Sequence, residues 1–181
     1  MTVKTLSEAM AQPRLIVVFG VAGSGKTMLG GALADTLDLT FLDADDFHDA
    51  RSVAKMREGT PLTDKDRAPW LARLNSEART RLASGESVVL ACSALKRDYR
   101  AAIADGIARV DWVFLDGPFD VIAGRIRIRS ATTGHYMPES LLRSQLDTLE
   151  APTDAICISV ELTPAEQLCA AMSALMGESR S

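Results

Sequence analysis

The sequence that decides the fold is Gly20-Val21-Ala22-Gly23-Ser24-Gly25-Lys26-Thr27, which directly follows the apolar run Leu15-Ile16-Val17-Val18-Phe19. Its glycines allow the backbone to adopt positive φ angles and to approach an anion closely. The backbone amides, together with the start of a helix near Lys26, then face a polyphosphate. Lys26 can reach the β- and γ-phosphates, and the Thr27 hydroxyl can bind Mg²⁺. Because the pattern lies between a predicted strand and a predicted helix, it indicates a nucleoside triphosphate site rather than a plain glycine-rich turn.

Composition limits the other classes of partner. The chain has 181 residues, of which 47% are hydrophobic and 24% are charged, and its net charge is −4 at pH 7. These values are typical of one globular domain and argue against nucleic acid or an anionic membrane as the main partner. An anionic substrate therefore needs a local cluster of positive side chains. Residues 1–13 lack the apolar core of a signal peptide, and we expect a flexible extension there, before a single domain over 14–181.

The cysteines and histidines suggest neither a disulfide nor a zinc site. Cys92, Cys157 and Cys169 include no C-x-x-C pair, and we expect them to be buried free thiols in a reducing cytoplasm. The sequence has two histidines, His48 and His135, which leaves little material for a zinc site. A cytoplasmic location is therefore predicted.

Apolar runs alternate with helical patterns along the chain. The predicted strands cover 15–19, 40–43, 87–92, 111–116 and 155–160, and the predicted helices cover 26–37, 51–58, 69–82, 96–104, 119–129, 138–149 and a last helix that enters at Thr163 and Pro164. This alternation predicts a doubly wound, three-layer α/β/α fold with a five-stranded parallel sheet. Ligands of such folds bind beyond the carboxyl ends of the strands. The site is therefore expected just after Phe19, Asp43, Cys92 and Asp116.

Two carboxylates follow the second predicted strand. Asp43 and Asp45 are spaced i, i+2, and we expect both to point the same way from the strand end. One could hold Mg²⁺ through water, and the other could orient a hydroxyl, or take its proton, as it attacks the γ-phosphate. The alternative is a solvated acidic turn in which Asp45 or Asp46 caps a helix. Asp116, at the end of the fourth predicted strand, is a second candidate for magnesium.

Basic residues in two segments could bind an anionic acceptor. Arg51 and Lys55 share a face of a predicted helix, although such charge-rich stretches are commonly exposed and paired among themselves. After the third predicted strand, Ser93 provides a hydroxyl, and Lys96 and Arg100 lie one helical turn apart. This combination would suit a polyol that bears a carboxylate.

Arg125 and Arg129 share a face of the helix predicted before a polar loop at 130–134. Arginines on a mobile lid can stabilise charge on a transferring phosphoryl group, while closure of the lid excludes water. The alternative is a basic, exposed helix that balances Asp116 and Asp120.

Several segments together resemble the bacterial gluconokinases, which belong to the shikimate-kinase-like group of P-loop kinases. The matching segments are G-V-A-G-S-G-K-T, F-L-D-A-D-D-F-H, K-M-R-E-G-T-P-L-T-D-K-D-R-A-P-W-L, C-S-A-L-K-R-D-Y-R and G-H-Y-M-P-E-S-L-L-R-S-Q-L-D-T-L-E, between Gly20 and Glu150. The first segment is common to many NTPases. The D-x-D-R-x-P-W-L and C-S-A-L-K-x-x-Y-R segments are far more specific.

The resemblance implies a cytoplasmic kinase, commonly a homodimer, that uses MgATP to phosphorylate the 6-hydroxyl of D-gluconate. Lys26, Asp45 and Arg125 are then the candidate catalytic residues, and Thr27 and Asp43 the candidate magnesium ligands. Nucleotide contacts are expected from Gly20 to Thr27 and from Arg125 and Arg129. The family pattern makes these residues pocket candidates: Asp45, His48, Arg51, Lys55, Arg67, Ser93, Lys96, Arg100, His135 and Gln145. It also implies a substrate-binding region over residues 45–85 and a lid over residues 125–137.

Two departures from the family and three alternatives accompany this hypothesis. Ser52 stands where the family usually has Asn, and the stretch from Arg129 to His135 looks longer than usual. Shikimate, a nucleoside monophosphate or another aldonate could be the acceptor, although shikimate kinases have three glycines at the position of Cys92-Ser93-Ala94. A GTP switch is disfavoured because the one asparagine, Asn75, is not part of an N-K-x-D motif. A non-catalytic nucleotide-binding module is the third alternative.

Overall fold

Five apolar strands form the centre of the molecule. In the computed structural model, which describes residues 12–58, 60–133 and 139–177, these strands are β1 (Leu15–Phe19), β2 (Thr40–Asp43), β3 (Val88–Cys92), β4 (Val110–Asp116) and β5 (Ile156–Ser159). Every neighbouring pair is parallel, and the order across the sheet is β2-β3-β1-β4-β5. The predicted five-stranded parallel sheet is therefore confirmed, with β1 at its centre.

Helices supply the crossovers that parallel neighbours require. The seven helices of the described residues are α1 (Lys26–Leu37), α2 (Ala50–Arg57), α3 (Asp64–Ala83), α4 (Arg97–Ala104), α5 (Phe119–Thr133), α6 (Glu139–Thr148) and α7 (Pro164–Gly177). A single 3₁₀ turn, Ala44–Phe47, follows β2. The connection from β2 to β3 contains two helices, α2 and α3, and it is the longest excursion from the sheet.

The central strand explains the three layers. All five residues of β1 are fully buried, because successive side chains point to opposite faces and both faces are covered. Ile16 and Val18 pack in a core with α1, α5, α6 and α7. Leu15, Val17 and Phe19 pack in a second core with α3 and α4. The predicted three-layer α/β/α arrangement is confirmed.

The start of α3 differs from the prediction. The helix begins at Asp64 rather than at Pro69, so Pro69 lies inside it. Thr63 caps this helix: its hydroxyl accepts from the Asp66 N–H, and the Asp66 carboxylate accepts from the Thr63 N–H. This capping box satisfies the free amides of the first turn five residues before the proline. The sequence contains the signal for it, namely a threonine followed three residues later by an acidic residue.

The end of α5 also differs. The helix continues through Thr133, so the prediction of a loop from Ser130 is wrong for Ser130–Thr133, whereas Gly134 lies outside the described residues. Polar side chains indicate exposure, but they do not end a helix while its backbone hydrogen bonds continue. At α7 the predicted entry is confirmed, because Pro164 is the first helical residue and Thr163 and Glu166, on either side of it, form the expected reciprocal hydrogen bonds.

The expected burial of the thiols is correct for one cysteine. Cys92 is buried in β3, whereas Cys157 and Cys169 are exposed. Cys157 lies on the edge strand β5, and Cys169 lies off the buried stripe of α7, which is Gln167, Ala171 and Leu175. An apolar run on an edge strand therefore does not ensure that each of its side chains is buried, as Cys157 shows.

The beginning of the predicted domain is tied to the sheet. Arg14 is buried, its Nη1 donates to Asp111 at 2.9 Å, and its backbone N–H donates to Ser87 Oγ at 3.1 Å. Of the predicted extension, residues 1–11 lie outside the described part of the chain. No helix that the structure describes has the length and apolar character needed to span a membrane.

Candidate active site

The phosphate loop, residues 20–27, connects β1 to α1 at the carboxyl edge of the sheet. Gly25 caps α1 in the left-handed conformation, with φ 105°. At Gly23 φ is +81°, and a Cβ atom there would lie 2.5 Å from Cγ1 of Ile126 on α5. A side chain at Gly23 would therefore strain the backbone and collide with α5. The loop holds its amides at the positive end of α1, which is suited to an anion.

Lys26 is the cation of this loop. Its Nζ donates to the Val21 carbonyl at 3.0 Å. Burial lowers the pKa of Lys26, and nearby negative groups, Asp45 foremost, act in the opposite direction. A bound phosphate would add negative charge beside the ammonium and would favour its protonated form.

Thr27 and Asp43 form the candidate magnesium site. The Thr27 hydroxyl donates to Asp43 Oδ2 at 2.8 Å, and Asp43 Oδ1 accepts the Asp45 N–H at 3.0 Å and so caps the 3₁₀ turn. Asp116 is exposed at the end of β4 and does not line the cavity next to the phosphate loop. The structure thus brings Asp43, and not Asp116, beside Thr27.

One cavity of about 540 Å³ joins the phosphate loop to the region around α3. Of the residues that the sequence analysis selected, it is lined by Ala22, Gly23, Gly25, Lys26, Thr27, Asp43, Asp45, His48, Arg67, Ser93, Arg125, Arg129 and Gln145. Asp43 and Asp45 both reach it, as their spacing predicts, and Asp46 does not. The nucleotide and acceptor candidates therefore share one space above the carboxyl edge of the sheet.

The far end of this cavity contains an aromatic stack. The His48 and Trp70 rings lie parallel, with centroids 4.5 Å apart and an interplanar angle of 10°. Trp70 Nε1 donates to the Ala44 carbonyl at 2.7 Å, which ties α3 to the 3₁₀ turn. Burial lowers the pKa of His48, so its ring is neutral at pH 7, and its Nδ1 has no hydrogen-bond partner among the described residues. A neutral imidazole here can bind a hydroxyl group.

A polar network stands beside the stack. Asp64 accepts from Lys96 Nζ at 2.9 and 2.8 Å and also from the Tyr99 hydroxyl. Arg67 Nη1 donates to the Leu62 carbonyl and lies 3.5 Å from the Tyr99 hydroxyl oxygen. Asp64 therefore neutralises Lys96, while Arg67 lines the cavity as a cation.

Four basic pocket candidates do not line this cavity. Arg51 is exposed on α2. Lys55 pairs with Asp66 at 2.9 Å, and Lys96 pairs with Asp64 at 2.8 Å. Arg100 donates to three backbone carbonyls, those of Ala94, Leu95 and Glu150. The pairing and backbone contacts of the last three fit structural roles in this conformation.

Arg125 and Arg129 reach the cavity from α5. Arg125 donates to the Ser24 carbonyl at 3.3 Å and also to the Val160 carbonyl. Gln145 reaches the phosphate loop from α6, where its Oε1 accepts the Ala22 N–H at 2.7 Å. The predicted lid is helical as far as Thr133, and its candidate His135 lies outside the described residues.

Comparison with known proteins identifies the family to which the chain belongs. A family model described as an AAA domain matches residues 15–152. A gluconokinase of Arabidopsis thaliana is 40% identical over 163 residues, which are 83% of this chain and 86% of that protein. A gluconokinase of Gluconobacter oxydans (strain 621H) is 44% identical over 79% of each chain. The chain belongs to the gluconokinase family.

A solved structure of the same family has the same fold. The crystal structure of a gluconokinase from Sinorhizobium meliloti 1021 matches with a TM-score of 0.81 at 42% identity, and the match covers 92% of this chain and 94% of that one. The resemblance stated from the sequence segments is thereby confirmed at the level of the gluconokinase family and its fold.

Several residues that line the cavity are not among those predicted from the sequence. Among them are Met56, Trp70, Tyr99, Leu141, Ser144 and Thr148. Trp70 and Tyr99 are part of the specific segments quoted above, and this was an available signal for them. Asp64 and Lys96 also belong to these segments, but no local pattern pairs them, because the two residues are 32 positions apart.

Ser52, the departure from the family, is buried at the start of α2. Its backbone N–H donates to Asp49 Oδ1 at 2.7 Å, and its hydroxyl also bonds that carboxylate. These hydrogen bonds lower the pKa of Asp49. The serine therefore belongs to the cap of α2 and does not line the cavity.

Proposed function

We propose that the protein transfers the γ-phosphoryl group of MgATP to the 6-hydroxyl of D-gluconate, with 6-phospho-D-gluconate and ADP as products. One observation carries the proposal: a single cavity has the phosphate loop at one end and Asp45, His48 and Arg67 at the other. Membership of the gluconokinase family, together with the names of its relatives, supports gluconate as the acceptor.

On the nucleotide side, the loop amides and Lys26 bind the triphosphate. They are positioned to stabilise the charge that develops between the β- and γ-phosphates as the bond between them breaks. Arg125 is bonded to the Ser24 carbonyl, so it also holds the loop in its shape. Catalysis of this kind depends mainly on position and electrostatics.

The residues present fit Mg²⁺. Thr27 and Asp43 offer hard oxygen donors side by side, and Mg²⁺ commonly takes one or two protein ligands and keeps waters and phosphate oxygens for the rest. In the described residues no group of three or more His, Cys, Asp or Glu side chains forms a cage for a different metal. When bound there, the ion neutralises charge on the β- and γ-phosphates.

On the acceptor side, Asp45 orients the 6-hydroxyl and accepts its proton as the new O–P bond forms. Arg67 binds the carboxylate of gluconate, since Lys55 and Lys96 are neutralised by Asp66 and Asp64. The guanidinium offers the two parallel donors that suit a carboxylate. His48 binds a hydroxyl of the polyol chain.

Three further features belong to the same proposal and rest on the family resemblance. They are a homodimer, a cytoplasmic location and a lid over residues 125–137. The predicted absence of nucleic acid and membrane partners rests on the net charge.

The test is ADP release with ATP and a panel of acceptors: gluconate, other aldonates, shikimate, AMP and no acceptor. We expect gluconate to give the highest kcat/KM and mass spectrometry with ³¹P NMR to place the phosphate on C6. A higher kcat/KM for shikimate or AMP would contradict the proposal. ATP binding without acceptor-dependent ADP release would instead indicate a non-catalytic nucleotide-binding module.

A further inference from the structure

Gln145 joins helix α6 to the phosphate loop. Its Oε1 accepts a hydrogen bond from the Ala22 N–H at 2.7 Å, although the two residues are 123 positions apart. Gln145 also lines the cavity. The helix that carries it is anchored in the core through Leu142, which is fully buried. The hydrogen bond therefore connects two elements that are each fixed by other contacts.

The direction of this hydrogen bond determines how the carboxamide faces. A backbone N–H can only donate, so the side-chain atom opposite Ala22 is the oxygen. The amide nitrogen, with its two donors, is turned away from the loop backbone. Within the described part of the chain, no acceptor is bonded to that nitrogen. Gln145 lines the cavity beside the phosphate loop, so its amide nitrogen is available to donate to a ligand at the end where Lys26 and the loop amides lie.

We propose that Gln145 is a catalytic residue whose amide nitrogen donates to the transferring phosphoryl group. The inference rests on the proposed function, because it requires a triphosphate in the phosphate loop. Donors held in place before the reaction stabilise developing charge without reorganisation, and the bond to Ala22 supplies that support. The contact involves the terminal phosphate, so it exists with ATP and is absent with ADP.

Gln145→Glu separates the two ends of the side chain. Glutamate keeps an oxygen that can accept the Ala22 N–H, but it replaces both donors by a second oxygen and a negative charge. We expect the affinity for a non-hydrolysable ATP analogue to fall at least about tenfold, while ADP affinity stays within about twofold, as measured by isothermal titration calorimetry. Asp147→Asn is the matched control: Asp147 is exposed on the same helix outside the cavity, and both affinities should be unchanged.

Kinetics give a second readout. For Gln145→Glu we expect kcat to fall about 10²-fold, with KM for gluconate within about threefold. Gln145→Leu, which loses both the loop bond and the donors, should show the same preference for loss of triphosphate over diphosphate affinity. Thermal unfolding reports whether each variant is folded. If Gln145→Glu does not fold, the ratio of triphosphate to diphosphate affinity in Gln145→Leu tests the proposal.

Three results would overturn the proposal. Unchanged analogue affinity and kcat would leave the contact with Ala22 as purely structural. A raised KM for gluconate with unchanged kcat would place the donors on the acceptor. Tighter analogue binding by Gln145→Leu would mean that Gln145 blocks the loop. Failure of the proposed function is separate, because it would show as wild-type protein without gluconate-dependent ADP release, while the two nucleotide affinities stay measurable.

Discussion

The two ends of the cavity are built in different ways. The nucleotide side is the phosphate loop, residues 20–27, in which neighbouring residues of one segment supply the amides, the cation and the hydroxyl. The acceptor side consists of Asp45, His48, Arg67, Trp70 and Tyr99, which come from the 3₁₀ turn and its end, α3 and α4. Ion pairs between different segments neutralise Lys55 and Lys96 and leave Arg67 as a cation that lines the cavity. Phosphate binding therefore depends on local backbone shape, whereas acceptor binding depends on tertiary packing.

The largest expected effect tests the nucleotide side. Lys26→Ala removes the half-buried ammonium that donates to the Val21 carbonyl of the loop. We expect kcat to fall by about 10²–10³-fold or more, because a donor to developing charge is lost, while the protein stays folded. Coupled ADP release and a thermal unfolding curve measure the two quantities. Activity close to that of the wild type would refute the assigned role of Lys26.

The next effect tests the acceptor side through its cation. Arg67→Lys keeps the charge but loses the paired donors of the guanidinium. We expect KM for gluconate to rise about tenfold, which corresponds to one hydrogen bond to a charged group, while kcat changes less. Arg73→Lys is the matched control, since Arg73 is exposed on the same helix outside the cavity. If Arg67→Lys mainly lowered kcat, the division between the two sides would be wrong.

A smaller effect tests how the acceptor side is held. Trp70→Phe removes the indole N–H that donates to the Ala44 carbonyl and reduces the stack on His48. The free energy of unfolding in urea should fall by about 1–3 kcal/mol, because a buried carbonyl loses its partner. Trp112→Phe serves for comparison, as Trp112 packs edge-on against Phe19. If Trp112→Phe lowered the free energy of unfolding as much or more, the hydrogen bond from Trp70 to the Ala44 carbonyl would have no special stabilising role.

The smallest expected effect is the protection of the Cys92 thiol from alkylation in the native protein. Cys92 lines the cavity, and burial raises its pKa to about 12. At pH 8 its thiol stays protonated and enclosed, so iodoacetamide should modify Cys157 and Cys169 and leave Cys92 intact. Intact-mass spectra should show two adducts on the native protein and three in denaturant. A third adduct on the native protein would mean that the reagent reaches Cys92 through the cavity.

Much of the fold could be predicted because its signals are local. The apolar run of β1 and the glycine pattern after it indicated a buried strand and a phosphate loop, and Thr163 with Glu166 indicated the entry to α7. The prediction for the start of α3 is wrong although Thr63 and Asp66 form a capping-box pattern, because a proline such as Pro69 also favours the first turn of a helix. At Ser130–Thr133 the polar side chains predict a loop, but polarity does not end a helix, and α5 continues through Thr133.

The candidate site was only partly predictable. Asp43 and Asp45 both reach one cavity, as predicted, although Asp45 lies in the 3₁₀ turn after β2 rather than in the strand. Lys55, Lys96 and Arg100 were predicted from their charge, their helical spacing and the family pattern, and none of these tells which partner a side chain meets. In the structure, Lys55 pairs with Asp66, Lys96 pairs with Asp64, and Arg100 donates to backbone carbonyls.

The sequence by itself determined the alternation of strands and helices, the phosphate loop and the acidic pair after β2. Those features follow from residues adjacent in the chain, where backbone geometry limits the outcome. Only the tertiary structure decided that Arg67 faces the acceptor side while Lys96 is neutralised, and that Gln145 meets Ala22. Such choices depend on which distant segments the two cores bring within hydrogen-bond distance, and no local pattern contains that information.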